Sequence, residues 1–294
     1  MTSTTDNARN LETLLKEMRP TLHRYCARMT GSAIDGEDVV QDAMLRAHLA
    51  WPSVGPIDNP EGWLFRIAHN AALDLLRRRR RMPELLTEEE LAAVPAPDRP
   101  DPDIAAASFR TFLRLPAIQR SAVILKDVLG HSIDEVSAVT GMSEAAAKSA
   151  LQRGRVRLRE LAAETEEIAQ PVLSDTMRFR LFAYVDSFKA GDFDAVRAML
   201  AEDVKLDLIA TLQRQGKSGV GEYYGAYAAA KHWAFSAGVV DGHAAMLVYD
   251  RRVTLDQPAY FVALDFVNDQ VHNIQDFLYG RYAMEGATIH EIVR

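Results

Sequence analysis

The chain has 294 residues, of which 48% are hydrophobic and 26% charged, and its net charge at neutral pH is −7. That length suits two or three domains, and no apolar run is long enough for a membrane span. The acidic balance excludes a protein that coats nucleic acid non-specifically.

The N-terminus, MTSTTDNARN, lacks a basic segment followed by an apolar core, so no export signal is expected. The single cysteine, Cys26, excludes an internal disulfide and favours a cytoplasmic location; it reads as a small core residue of a helix. Positive charge is gathered in two strips, Arg77 to Arg81 and Arg153, Arg155, Arg157 and Arg159. An acidic chain with two basic strips fits a factor that needs a larger partner to hold it on DNA.

Leu11, Leu14, Leu15, Met18 and Leu22 recur at helical spacing and predict a helix from Leu11 to Ala27 that stops at Gly31. A second helix is expected from near Asp35, with Asp38 completing a variant capping box. Val40, Ala43, Met44 and Ala47 form its core stripe. Asp38, Gln41, Asp42 and Leu45 form another stripe, which sets a leucine among carboxylates on an outer face. Such a face suits docking on a basic or mixed partner helix. A solvated face with one stray leucine is the competing reading.

Asn59-Pro60 supplies an N-cap and a first-turn proline for a third helix. Leu64, Ile67, Ala68, Ala71 and Leu75 mark its core side. Arg66, Asn70, Asp74, Arg77 and Arg81 lie on or near the opposite side, with Trp63 and Phe65 near its start. Aromatic rings beside basic and amide groups are the parts needed to stack and read unpaired bases. The alternative puts Trp63 in the core and leaves the arginines as a solvated helix end stabilised by its dipole.

Leu115-Pro116 opens a further helix carrying Ala122, Val123, Leu125, Val128 and Leu129, which ends at Gly130. Ser132 and Glu135 make a capping box for the next helix, Gly141 makes a turn, and Ser143 caps a long helix through about Leu161. Helix, glycine turn and helix is the helix-turn-helix pattern; a plain helical hairpin is the alternative. The second helix of such a motif enters the major groove. Lys148, Ser149 and Gln152 have the spacing and chemistry for base edges, while Arg153, Arg155 and Arg157 suit phosphates. Between the two blocks, MPELLTEEELAAVPAPDRPDPD is a Pro-rich acidic linker in which LLTEEELAA is a candidate short helix.

These motifs, in this order, resemble the extracytoplasmic-function group of sigma-70-type sigma factors. GEDVVQDAMLRAH is similar to the part of region 2 that binds the clamp helices of the large polymerase subunit. GWLFRIAHNAALDLLRRRR is similar to the part that melts and reads the minus-ten element. LPAIQRSAVILKDVLG with SIDEVSAVTGMSEAAAKSALQRGRVRL is similar to region 4, which reads the minus-thirty-five element and packs on the flap. The resemblance implies polymerase contacts at Asp38, Gln41, Asp42 and Leu45. It implies DNA contacts at Trp63, Asn70, Arg77, Lys148, Ser149, Gln152, Arg153 and Arg155. It also implies a linker path through the RNA-exit region. Gln152 and Ala150 depart from residues common at those places in the group, which leaves the promoter sequence open.

A polar hinge leads into FRLFAYVDSFKAGDFDAVRAMLAEDVKLDL, which reads as helix, Gly-Asp turn, shorter helix and strand. AAMLVYD, AYFVALDFV and VHNIQDFLYG are β-rich. Helices followed by antiparallel strands give an α+β domain, and the segment order resembles the SnoaL-like (nuclear-transport-factor-like) cone. Candidate pocket residues are Asp207, Tyr224, Trp233, His243, Asp265, His272 and Asp276. Their spacing forms no catalytic triad and no metal cluster, and no cofactor motif is present.

The expected fold is therefore multidomain: two all-α domains and a C-terminal α+β cone. The expected boundaries are 8–82 for region 2, 83–105 for the linker, 106–162 for region 4, 163–174 for the hinge and 175–294 for the cone. The expected partners are core RNA polymerase, promoter DNA and a small-molecule ligand of the C-terminal domain, without a membrane. The leading reading is a non-catalytic initiation factor that its C-terminal domain regulates. An operator-binding regulator would need only the helix-turn-helix. A DNA-linked enzyme would turn over a small cyclic or polyketide-like substrate in the cone and lose activity on substitution of Asp207 or Asp276.

Overall fold

Helix ends are set by a few polar and glycine residues. Helix α1, Thr4–Thr30, ends where Gly31 takes φ +82. The Ser32 hydroxyl then accepts from the N–H groups of Ile34 and Asp35 and starts α2, Ala33–Ala50. The expected start near Asp35 is thus two residues late. Asp35 is buried and pairs with Arg79 instead of capping. Helix α3, Pro60–Arg78, begins as expected, with the Asn59 side chain accepting from Gly62 N–H at 2.8 Å.

The computed structural model describes residues 4–55, 57–79, 104, 107–163 and 173–294, by backbone only at 4–10 and 226. The linker expected at 83–105, apart from Ile104, lies outside these residues. So do Arg80, Arg81 and the hinge expected at 163–174, apart from its ends. The chain divides into two compact units, Met1–Glu167 and Ile168–Arg294.

In the first unit a short α4, Phe109–Leu113, precedes α5, Ala117–Val123. Helix α5 runs into a π turn, Ile124–Val128, in which Leu129 N–H donates to the Ile124 carbonyl at 3.0 Å. Gly130, at φ +79, ends it. Helix α6, Ile133–Thr140, carries the full Ser132/Glu135 capping box, and Gly141 closes it in the left-handed region. Helix α7, Glu144–Ala163, follows. Tyr25, Val40, Leu64 and Phe65 share one apolar core with Phe112, Val123, Leu125, Leu151 and Leu158.

In the second unit Ser174 caps α8, Asp175–Ala190, and Asp192 caps α9, Phe193–Ala198. Strands β1, Leu200–Leu208, and β2, Leu212–Gln215, come before α10, Gly216–Ala229. Then follow β3 (Trp233–Val240), β4 (His243–Asp250), β5 (Tyr260–Val267), β6 (Gln270–Asp276) and β7 (Ile289–Glu291). The sheet order is β2-β1-β6-β5-β4-β3-β7.

The domain is the expected α+β unit, with two departures. Strand β1 pairs with β6 in parallel, so the sheet is mixed. Helix α10 falls between strands, so helices and strands are not fully segregated along the chain. Helix α8 packs on β3 and β4, and α10 on β1 and β2, with Val185, Phe188, Tyr224, Val239, Met246, Val262 and Ile274 in the core between them. Among the described residues no helix is long and apolar enough to cross a membrane.

Candidate functional site

Helix α2 is buried along Val39, Val40, Ala43 and Ala47, which turns its other side outward. Leu45 is 58% exposed and Leu49 is 69% exposed. Asp38 is exposed beside them, and Gln41 and Asp42 are half-buried on the same side. Arg46 holds Asp42 at 2.7 Å and reaches Asp74 of α3 at 3.1 Å, which fixes the polar flank of the leucine pair. Sequence reasoning missed Leu49, although its i+4 spacing from Leu45 was visible. Two bare leucines flanked by carboxylates form an apolar ridge with an acidic border.

On α3, Arg66, Asn70 and Arg77 are exposed, and Arg77 lies 3.4 Å from Asp74. Trp63 is half-buried, with its ring 5.7 Å from that of Trp51, which the sequence did not single out. Phe65 corrects an expectation. It is buried, edge-on to Tyr25 at 5.9 Å and to His131 at 4.8 Å, so it serves the core and not an unpaired base. Next to it, the Tyr25 hydroxyl bonds His69 Nδ1 at 2.6 Å; burial, and then the nearby Arg77 charge, lowers the His69 pKa to about 4.

Helix α7 sorts its basic residues into two groups. Lys148, Arg157 and Arg159 are exposed, and Gln152 and Arg153 are half-buried. Lys148 sits 3.4 Å from Glu144, and Arg157 sits 2.9 Å from Glu160. Arg155 is 1% exposed and grips Asp127 of the π turn at 2.9 and 2.5 Å. Its expected phosphate role is therefore corrected: both ends of the pair are internal, and the pair ties α7 to the π turn that continues α5. Gly154 permits this close approach, because a Cβ there would meet Val123 at 2.5 Å. Ser149 is 2% exposed, so the expectation that it stands ready for base contact does not hold in this conformation.

In the C-terminal unit three of the seven candidate pocket residues converge. Asp276, 0% exposed, accepts hydrogen bonds from Tyr223 at 2.7 Å, Tyr227 at 2.6 Å and the Leu278 N–H at 2.8 Å. Tyr227 also bonds Tyr260 at 2.8 Å, and Tyr224 bonds Tyr184 at 3.3 Å. Trp233 stands edge-on to Tyr260 at 5.3 Å. Burial raises the Asp276 pKa, opposed by the hydroxyl donors, and burial raises those of Tyr223 and Tyr227.

The other four stand apart from this cluster. Asp265 is exposed, and Asp207 is half-buried with Gln213 at 3.4 Å. His272 lies 3.5 Å from Asp203, and His243 begins β4 directly after the Asp241-Gly242 turn. Tyr223, Tyr227 and Tyr260 were missed. The repeat EYYGAY, with tyrosines at i and i+4 on one helix, was the available signal.

Residues 14–82 match the model of Sigma-70 region 2, and residues 110–158 match that of Sigma-70 region 4. The ECF RNA polymerase sigma factor SigM of Mycobacterium tuberculosis is 37% identical over 141 residues, which span 48% of this chain and 70% of that protein. SigG of the same species is 28% identical over 299 residues, covering 88% of this chain and 79% of its own. The crystal structure of Mycobacterium tuberculosis SigJ aligns with 90% of this chain and 95% of its own, at 22% identity and a TM-score of 0.36. With both sigma regions in order and a relative of this similarity, the chain belongs to the extracytoplasmic-function group of sigma-70-type RNA polymerase sigma factors.

Proposed function

We propose that this sigma factor docks on core RNA polymerase through the ridge formed by Asp38, Gln41, Asp42, Leu45 and Leu49. Trp63, Asn70 and Arg77 then line the opened minus-ten strand, and Lys148, Gln152 and Arg153 meet the minus-thirty-five duplex. The observation that carries this reading is the Leu45–Leu49 pair, bare at 58% and 69% exposure on a helix whose opposite side is fully packed. An apolar ridge with an acidic border fits a partner helix with a basic border. Leu45→Asp should lower core-polymerase affinity by ~10–100-fold without moving the melting temperature, as central apolar anchors do. Unchanged affinity, measured by titration with labelled core enzyme, would remove this surface from the account.

The protein makes no bond itself; polymerase performs nucleotide transfer, which places the chain's work in the cytoplasm with the nucleoid. The C-terminal domain acts as a regulator of the attached factor and not as an enzyme. Support comes from the cluster around Asp276, in which three donors already occupy the carboxylate oxygens. Removing Asp175 to Arg294 should change promoter output in a purified transcription assay. Output and core affinity that both stay at the full-length level would sink the regulatory role.

A further inference from the structure

Helix α3 turns Arg66, Asn70 and Arg77 outward, and a carboxylate, Asp74, stands among them. It lies four residues after Asn70 and three before Arg77, so it shares their side of the helix. Arg46 of α2 reaches Asp74 Oδ2 at 3.1 Å, and Arg77 lies 3.4 Å from Oδ1. Arg78 Nε donates to the Asp74 carbonyl at 3.4 Å. Arg46 also grips Asp42, through Nε at 3.1 Å and Nη2 at 2.7 Å. Asp42, Arg46, Asp74 and Arg77 thus form a ladder of alternating sign. It runs from the acidic border of the α2 ridge to the strand side of α3 and carries no net charge. Arg66 differs, because it makes no ion pair among the described residues.

Stability does not call for this ladder. Val40, Ala43, Leu64 and Ala68 already join α2 and α3 in one apolar core. The ladder's side chains are 37–56% exposed, and ion pairs at such exposure add little. Phosphate binding does not call for it either. A carboxylate beside a nucleic-acid strand repels it, and it removes the counterion release that a free Arg77 would bring.

What the ladder does well is limit non-specific pull. Phosphates are the same in every sequence, so an arginine with its full charge adds affinity for any duplex. An arginine held by Asp74 adds little of that, while its planar donors stay fixed in place. Discrimination then rests on Trp63 and Asn70, which the sigma-factor reading sets against the bases.

We infer that Asp74 is a specificity-determining residue for promoter opening: it holds Arg77 and Arg46 beside the opened strand and cancels their attraction for duplex phosphates at large. This rests on the sigma-factor reading given above.

Binding of a random-sequence duplex to the full-length chain in complex with core polymerase tests this, with salt varied. Asp74→Asn keeps the size of the side chain and removes its charge. Arg46 stays on Asp42, so Arg77 alone is freed for phosphate. The slope of log affinity against log salt should steepen by about 0.9, which at ~0.15 M salt is roughly fivefold tighter binding. At a true promoter the lost posture of Arg77 offsets that gain. On a genomic fragment library, the ratio of starts with the shared minus-ten motif to starts without it should then fall by a similar factor. Asp74→Glu keeps the charge and should show the wild-type slope. Arg66→Gln removes a cation that no carboxylate holds and should make the slope shallower by about 0.9.

An unchanged slope for Asp74→Asn, in a complex that does co-elute with core enzyme, overturns the inference and leaves the sigma-factor reading intact. So does an equal shift for Asp74→Glu, which would assign the effect to altered packing. Failure of the wild-type chain to co-elute with core enzyme contradicts the sigma-factor reading itself.

Discussion

The C-terminal domain pairs the buried Asp250 with Arg252, as the helical unit pairs its buried carboxylates with arginines, but it satisfies its deepest carboxylate by different chemistry. In the helical unit Asp127 is held by Arg155, Asp35 by Arg79 and Glu37 by Arg19. Each carboxylate there meets a guanidinium that stays charged at any physiological pH. In the C-terminal domain Asp276 meets only neutral donors, two tyrosine hydroxyls and one backbone N–H, and its pKa is raised by burial. The first solution fixes charge and ties helices to one another. The second gives the carboxylate no charged partner, and burial favours its protonated form. A module that must present a constant set of basic groups to DNA has the rigid solution, and the attached domain has the adjustable one.

The largest expected effect breaks the rigid solution. Asp127→Ala removes the carboxylate that neutralises the buried Arg155 charge and should cost about 3–5 kcal/mol in urea unfolding of the helical unit. The double change Asp127→Leu with Arg155→Met should recover most of that loss, since well-packed apolar groups replace buried pairs at little cost. A double variant as unstable as the single one would mean that the pair does more than neutralise itself.

Next is the adjustable solution. Asp276→Ala strands two buried hydroxyls and should cost about 2–3 kcal/mol in the C-terminal transition, with Asp276→Asn milder. The pH dependence has a definite sign. A carboxyl whose folded pKa is raised contributes most when protonated, and that contribution is lost as pH rises through the folded value. The wild type should therefore lose stability relative to Asp276→Asn as pH rises above the ordinary carboxylate range. A constant difference across pH would show that Asp276 keeps one protonation state throughout.

Much of the helical unit was legible because its signals are local. Asn59-Pro60, the Ser132/Glu135 box and the left-handed glycines at 31, 130 and 141 each act over four residues or fewer. The start of α2 was misread because Ser32 and Asp35 are both good caps, and only burial of Asp35 against Arg79 decides between them. Arg155 and Ser149 were misread for a related reason. A basic helix shows where its charges lie along the chain, but the partner that turns Arg155 inward, Asp127, is 28 positions away.

In the C-terminal domain the first helices and four strands, β1, β4, β5 and β6, were legible from alternation and turns. Strand β3, WAFSAGVV, was not singled out; its apolar run is buried over Ser236–Val240 and does not alternate. The parallel pairing of β1 with β6 joins segments about seventy residues apart, beyond the reach of any local pattern. Of the seven pocket candidates, residue type alone selected several that the fold scatters, whereas Asp276, Tyr224 and Trp233 were brought together by strand register and helix packing.

A smaller effect is expected at His69. Its folded pKa, near 4, lies below the ordinary histidine value, so the unfolded chain takes up a proton first as pH falls. Stability of the helical unit is full above about pH 6.5 and declines towards pH 4. His69→Gln should flatten that part of the melting-temperature profile. An identical slope would assign the decline to carboxylates instead. Smallest of all, Lys148→Ala should lower output from a promoter carrying both elements by roughly fivefold, about 1 kcal/mol of lost base or phosphate contact. No change would take Lys148 off the DNA.

The central claim is that the two promoter-reading modules of this chain direct core polymerase to promoters. The direct test is transcription in vitro from a genomic fragment library, with purified core enzyme, with and without this protein, mapping every start. The account predicts new starts that share two spaced upstream motifs and disappear with Leu45→Asp. An unchanged set of starts, with the protein demonstrably bound to core enzyme, would contradict it.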